Sequence, residues 1–283
     1  MSEDFLAAMA RASRERVALA SGQHPMRELQ AQAAALPAPP ALWLSENGFD
    51  LIAEVKLRSP AAGQLKQASE DIAARAARYA EAGAAAISVL TEPSRFDGAL
   101  SHVTQAAHGL VGRIPVMRKD FLVDAYQVYE ARLAGAGGVL VILRMLSRAE
   151  NEALLEAAAA LGLFALLEAF DEADLRLASE LVDAYAGRAA LLVGVNCRDL
   201  VTLKVVPGRL EALAPLLPRN VPRVAESGVA TGIDAARVAA HGYDLALVGS
   251  ALMQAADPRA LAAGMLQAGR DAASGRAGPS GRV

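Results

Sequence analysis

The 283-residue chain is 54% hydrophobic, enough to bury a large core, which excludes a disordered polymer. Its net charge of −3 is made of mixed signs with no dominant basic patch, so nucleic acid is not an expected partner. One cysteine, Cys197, leaves no intrachain disulfide, and the sequence has neither a basic secretory n-region nor an apolar run of membrane length. A cytoplasmic location and no membrane partner are the expectation from those features.

In chain order, residues 5–20 and 25–36 carry apolar side chains at helical spacing, and the run Pro37-Ala38-Pro39-Pro40 ends that pattern. Residues 1–47 are therefore expected as an N-terminal helical extension. Short apolar runs then alternate with longer amphipathic segments. The strand-like runs are 51–56, 85–90, 115–119, 138–143, 163–168, 191–196, 222–226 and 245–249. Segments between them, such as 72–81, 125–133, 149–161 and 230–241, read as helices. Runs apolar throughout are buried on both faces, as in a parallel sheet covered by helices. Eight such units predict a single α/β domain, a (β/α)8 TIM barrel over residues 48–270. An open doubly wound sheet fits less well, because no Gly-x-Gly-x-x-Gly follows the first strand. The Gly/Ser/Arg-rich stretch 271–283 is expected to be a disordered tail.

The polar residues that end the strands are the informative ones. Strand 1 ends Glu54-Val55-Lys56, strand 3 Arg118-Lys119-Asp120, strand 5 in Glu168, strand 6 Asn196-Cys197-Arg198 and strand 7 Glu226-Ser227-Gly228. Barrel strands all end on one rim, where active sites sit. A charge at the end of a buried strand costs desolvation unless it pairs or acts, and so many around one rim argue for a reaction set. Lys56 and Lys119 supply cations, and Glu54, Glu168 and Glu226 supply carboxylates whose pKa values neighbours can push apart. Ser227-Gly228 and Gly249-Ser250, each expected to open a helix after the seventh and eighth strands, suit a phosphate. The four histidines, His24, His102, His108 and His241, lie away from strand ends. No histidine is placed to activate Cys197. No metal cluster is evident, and neither metal nor cofactor is expected.

These residues resemble a known family. Ile52-Ala-Glu-Val-Lys56 with Ser59-Pro60 and Gly63 is similar to the first-strand signature of indole-3-glycerol phosphate synthases. The segments 87–93 with Phe96, 115–121 with 124–132, 194–200, 225–228 and 248–253 resemble the corresponding later blocks. The likeness spans essentially the whole chain, and the third-strand block is its most specific part. It implies a cofactor-free enzyme of tryptophan biosynthesis. The substrate would be a phosphorylated small molecule, 1-(o-carboxyphenylamino)-1-deoxyribulose 5-phosphate, closed to indole-3-glycerol phosphate with loss of carbon dioxide and water. It further implies Lys119 as general acid, Glu168 in proton transfer during dehydration, and Lys56 as a partner of the substrate's anionic groups and a second acid. Glu54 and Glu226 would tune the lysines. Asn196 and Arg198 would lie near the hydroxyls and the anthranilate carboxylate, with Ser59 beside the latter. Phe96 would contact substrate, and Ser227, Gly228, Gly249 and Ser250 would hold the phosphate.

The chain departs from that pattern in its loops. Leu57 stands where the family has a second lysine, Ala61 and Ala62 where it has Ser and Lys, and Asp97-Gly98-Ala99 follows Phe96. The Phe-rich stretch that usually precedes the first strand is missing. These changes leave one alternative open, a paralogue acting on a modified anthranilate in specialised metabolism. A monomer or weak homo-oligomer is expected.

Overall fold

Branched and small apolar residues at every position of a run leave no solvent face, so each run must be covered on both sides. In the computed structural model, which describes residues 4–46, 48–67, 69–274 and 281–283, the runs become eight strands. These are β1 (Asp50–Val55), β2 (Ala86–Leu90), β3 (Val116–Lys119), β4 (Gly138–Ile142), β5 (Phe164–Ala169), β6 (Ala190–Asn196), β7 (Arg223–Glu226) and β8 (Leu245–Val248). Each pairs in parallel with the next, and β8 returns to β1, closing the barrel. The fold is the expected (β/α)8 barrel.

Successive strand residues point to opposite faces. Leu51, Ala53 and Val55 of β1 belong to the layer between sheet and helices, whereas Ile52 belongs to the barrel interior. On β5 the same division puts Ala165, Leu167 and Ala169 outside and Phe164 and Leu166 inside. Phe164 fits because β4 offers Gly138 opposite it, where a Cβ would lie 2.3 Å from the ring.

Besides the short helices Pro93–Phe96 and Ser250–Gln254, the α-helices are α1 (Phe5–Gln23), α2 (Met26–Ala34), α3 (Ile72–Glu81), α4 (Leu100–Leu110), α5 (Ala125–Leu133), α6 (Arg148–Ala160), α7 (Glu172–Ala184), α8 (Arg209–Leu213), α9 (Gly232–Ala240) and α10 (Pro258–Ala273). Several start on side-chain caps that satisfy first-turn N–H groups: Asp71, Asp124, Asp171, and the capping boxes Ser147/Glu150 and Thr231/Asp234. None among the described residues is long and apolar enough to cross a membrane.

The N-terminal segment embraces the barrel from one rim to the other. At the C-terminal rim of the strands, Leu6 and Met9 of α1 join the interior cluster. α2 lies beside α5, where Gln30 Nε2 donates to Tyr129 Oη at 3.4 Å. The Pro-rich linker then descends, Arg132 donating to the Pro37 carbonyl. At the opposite rim Leu42 and Leu44 join the same interior cluster. There Trp43–Leu44 pairs antiparallel with Gly281–Arg282, and Val283 N donates to Leu42 O at 3.0 Å. Within the stretch 271–283, α10 runs to Ala273 and Gly281–Arg282 takes the edge that the linker offers it. Residues 275–280 lie outside the described residues.

Candidate active site

Every residue the sequence assigns to the chemistry or the substrate lines one cavity of about 350 Å3 at the C-terminal rim. The strand register brings them there. β1 directs Glu54 and Lys56 inward, β3 Lys119, β5 Glu168, β6 Asn196 and β7 Glu226. Lys119 Nζ lies 3.0 Å from Glu168 Oε2 and 3.2 Å from Glu226 Oε2. Across the floor, Lys56 Nζ sits 2.5 Å from Glu54 Oε1. Burial works against the Lys119 charge, but Glu168, Glu226 and Glu54 outweigh it and hold the ammonium above its ordinary range. Burial pushes Glu226 well above the usual carboxylate range, the Glu168 charge adds to this, and Lys119 opposes it.

Two glycines make space for these groups. A Cβ at Gly249 would stand 2.1 Å from Glu54 Oε1 and 2.9 Å from Lys56 Nζ, and one at Gly194 would stand 2.2 Å from Glu226 Oε1. Both positions need the missing side chain for steric reasons rather than for backbone freedom.

Arg118 and Asp120, which flank Lys119, anchor it through a network of buried bonds. Arg118 donates to Thr91 Oγ1, Gln127 O and Glu130 Oε2 at 3.2, 2.9 and 3.1 Å. Asp120 accepts from Thr91 Oγ1 at 2.7 Å, Phe121 N at 2.8 Å and Arg16 Nη2 at 2.8 Å. Gln127 Nε2 donates to the buried Ser13 Oγ at 2.9 Å. The third-strand block thus carries one inward lysine and a flanking network that clamps α1 to the rim.

The phosphate candidates differ in detail from expectation. Ser227 and Gly228 do not open a helix. Both adopt left-handed backbone, with φ of 66° and 71°, and α9 begins only at Gly232 behind its Thr231 cap. A left-handed non-glycine residue is strained and marks a specialised turn. Gly249 does cap the short helix Ser250–Gln254, whose first-turn N–H groups lack intrahelical acceptors. Arg198 is committed to its own loop, donating from Nη1 to Leu203 O at 2.6 Å, while its N–H donates to Asn196 Oδ1 at 2.9 Å. Ser59 is buried in a small hairpin, Arg58–Ser59 against Gly63–Gln64.

The apolar wall was not singled out from the sequence. Phe5, Phe121, Leu140, Ile142 and Leu247 line the cavity beside Phe96. Phe121 packs edge-on against Phe5 at 5.8 Å and tilted against Phe96 at 6.2 Å. The loop departures also find their places. Leu57 is buried in the strand–helix layer and Ala62 is exposed, so neither lines the cavity, whereas Ala61 does. Asp97 pairs with Arg58 at 3.6 Å, joining the first loop to the second. Gly98 follows because a Cβ there would lie 2.6 Å from Leu90 O. The histidines line no part of the cavity; His24, His108 and His241 are exposed and His102 is half-buried. Cys197 is buried and its thiol pushed up chiefly by that burial, which does not make a nucleophile. Among the described residues no cluster of three or more metal-ligating side chains occurs.

Fold and site together define a (β/α)8-barrel enzyme with a floor of paired lysines and carboxylates, an aromatic wall and, on the same cavity, the turns after the seventh and eighth strands. The family model for indole-3-glycerol phosphate synthase matches residues 6–264. An indole-3-glycerol phosphate synthase of Mycobacterium leprae is 41% identical over 246 residues, covering 86% of this chain and 87% of that protein. One from Opitutus terrae is 42% identical over 243 residues, covering 83% and 88%. Among solved structures, 3-hexulose-6-phosphate synthase from Salmonella typhimurium aligns with a TM-score of 0.61 at 17% identity, over 79% of this chain and 99% of that one. Thiamine phosphate pyrophosphorylase from Pyrococcus furiosus aligns at 0.56 and 16%, over 80% and 98%. The structural likenesses show the barrel; the sequence likenesses show that the chain belongs to the indole-3-glycerol phosphate synthase family.

Proposed function

We propose that the chain closes the ring of 1-(o-carboxyphenylamino)-1-deoxyribulose 5-phosphate to give indole-3-glycerol phosphate, and that the residues of this cavity carry the reaction. The observation that supports it most is the Lys119 ammonium held between Glu168 and Glu226 on the floor of an aromatic-walled cavity. As the ring carbon bonds to the ketone carbon, the ketone oxygen becomes an alkoxide, and Lys119 gives it a proton. A forming alkoxide is far more basic than an amine, so an ammonium with a raised pKa keeps its proton until the bond forms and then yields it. Carbon dioxide leaves into a ring cation that accepts the electron pair. Dehydration follows, with Glu168 taking part in the proton transfer.

Lys56 pairs with the substrate's anionic groups and serves as a second acid, with Glu54 orienting it. Glu226 tunes Lys119. Asn196 faces the hydroxyls, Ser59 and Arg198 lie near the anthranilate carboxylate, and Phe96 and Phe121 hold the aryl ring. The turns at Ser227-Gly228 and Gly249-Ser250 take the phosphate. The enzyme works in the cytoplasm as a monomer or weak homo-oligomer, which gel filtration would check.

The test mixes purified protein with the unsubstituted substrate and follows indole absorbance and fluorescence. Turnover supports the reading. No product, with turnover only on a ring-modified analogue, would replace it by the specialised-metabolism alternative.

A further inference from the structure

Strand β6 lies between Glu168 on β5 and Glu226 on β7, and the β6 residue paired with Glu168 is Gly194. A Cβ there would stand 2.2 Å from Glu226 Oε1 and 3.1 Å from Leu166 Cδ1. The Glu226 carboxyl therefore occupies the space that a β6 side chain would fill, leaning toward Glu168. Both groups are deeply buried, 1% and 3% exposed. Glu226 Oε2 accepts from Lys119, but Oε1 is buried and has no donor among the described residues. Such an orphan acceptor is costly. Glu168 and Glu226 reach the same ammonium, Lys119 Nζ, at 3.0 and 3.2 Å, so the two carboxyls are neighbours on this floor. Two buried carboxyls that share one cation do not both ionise readily, and a proton between them supplies the missing donor.

Charge balance points the same way. Lys119 faces the pair from β3, Lys56 and Glu54 stand on β1, and the neutral Asn196 is next on β6. Two ammonium groups meet three carboxyls, so one proton on the pair leaves the empty floor neutral.

We propose that Glu168 and Glu226 share one proton in the working enzyme, and that Gly194 is the positioning residue whose missing side chain lets them meet. One carboxylate then remains available as a base while its partner holds it by a hydrogen bond. Burial and the Glu168 charge, which raise Glu226 against the pull of Lys119, agree with this arrangement. The proposal deepens the ring-closure reading and rests on it only for the activity arm of its test.

The first arm needs no turnover. An infrared difference spectrum of intact wild-type protein minus Glu226→Gln, at neutral pH, should contain a protonated-carboxyl C=O band. Absence of that band overturns the proposal. The second arm measures kcat/KM against pH. Glu226→Gln, whose amide cannot titrate, should lose the alkaline limb set by the shared proton. Gly194→Ala should move that limb down by about one pH unit or more, the scale on which such pairs couple. Glu226→Gln with a wild-type alkaline limb, or a folded Gly194→Ala with an unmoved one, overturns the positioning claim. If Gly194→Ala does not fold, the infrared arm and Glu226→Gln decide. A wild-type enzyme that shows the band but no turnover would fail the ring-closure reading alone.

Discussion

Replacing Lys119 by methionine separates chemistry from packing. Lys119 does pair with Glu168 and Glu226, so loss of the ammonium leaves two buried carboxyls without their cation, and some stability goes with it. If the ammonium also protonates the ketone oxygen only as the bond forms, kcat and kcat/KM fall together. We expect a loss of at least about a hundredfold in single-turnover rate, the usual size of a general-acid effect. Melting temperature and rate are read on the same sample. A folded variant within tenfold of wild type would move the role to Lys56. At Gly249 more than the proposed phosphate turn is at stake. Because its Cβ would meet Glu54 and Lys56, Gly249→Ala disturbs the charged floor as well as the turn. Steady-state kinetics should show kcat reduced along with a raised KM; a pure KM effect would mean that Glu54 and Lys56 yield without consequence.

α1 is an element whose hold on the barrel can be weakened at one point. Arg16 reaches Asp120, and Ser13 accepts from Gln127, while Phe5 at the start of the helix lines the cavity. Arg16→Ala removes a charge-assisted bond to a buried carboxylate, a loss of about 1–2 kcal/mol, since Asp120 keeps Thr91 and Phe121 N as donors. Hydrogen exchange over Phe5–Gln23 should quicken and KM rise severalfold as the Phe5 contact loosens, with kcat less affected. Unchanged exchange in α1 would show that its apolar contacts suffice. Elements differ in how far the sequence announces them. The barrel strands were legible because a run buried on both faces has no polar alternation to hide it. The hairpin at Arg58–Ser59 and the pairing of Trp43–Leu44 with Gly281–Arg282 were not, since two-residue strands have no periodicity and the second pairing joins distant parts of the chain. The charged floor was legible because polar residues at the ends of apolar runs stand out. The wall of Phe5, Phe121 and Leu140 was not, because an apolar residue facing a cavity and one facing a core read alike. The backward turn at Ser227 was missed for a related reason: a Ser-Gly pair suits a helix start as well as two successive left-handed residues.

For the whole molecule, the buried floor sets how stability varies with pH. Glu226 is raised above its ordinary 4.5, so the folded state binds a proton that the unfolded state has lost. Its contribution is full below that value and disappears as pH rises through the folded pKa. Lys119 is likewise raised, so the stability from its pairing is full below the ordinary 10.5 and is lost as pH climbs further. Both act in one direction, and thermal unfolding should show melting temperature falling toward alkali. Glu226→Gln should flatten the part of that slope that begins near the ordinary carboxylate value. A variant with the wild-type slope would mean that Glu226 titrates alike folded and unfolded.

The strand wall that divides interior from outer layer has a consequence for how this protein can change. Leu51, Val55, Leu167 and Val193 pack only toward the helices, while their neighbours Ile52, Glu54, Leu166 and Gly194 serve the lumen. Along one strand, tolerance therefore alternates residue by residue. Drift or design in the outer shell can harden or soften the scaffold while the lumen is left to selection for chemistry, so thermal adaptation and substrate choice can follow separate evolutionary histories within the same few residues.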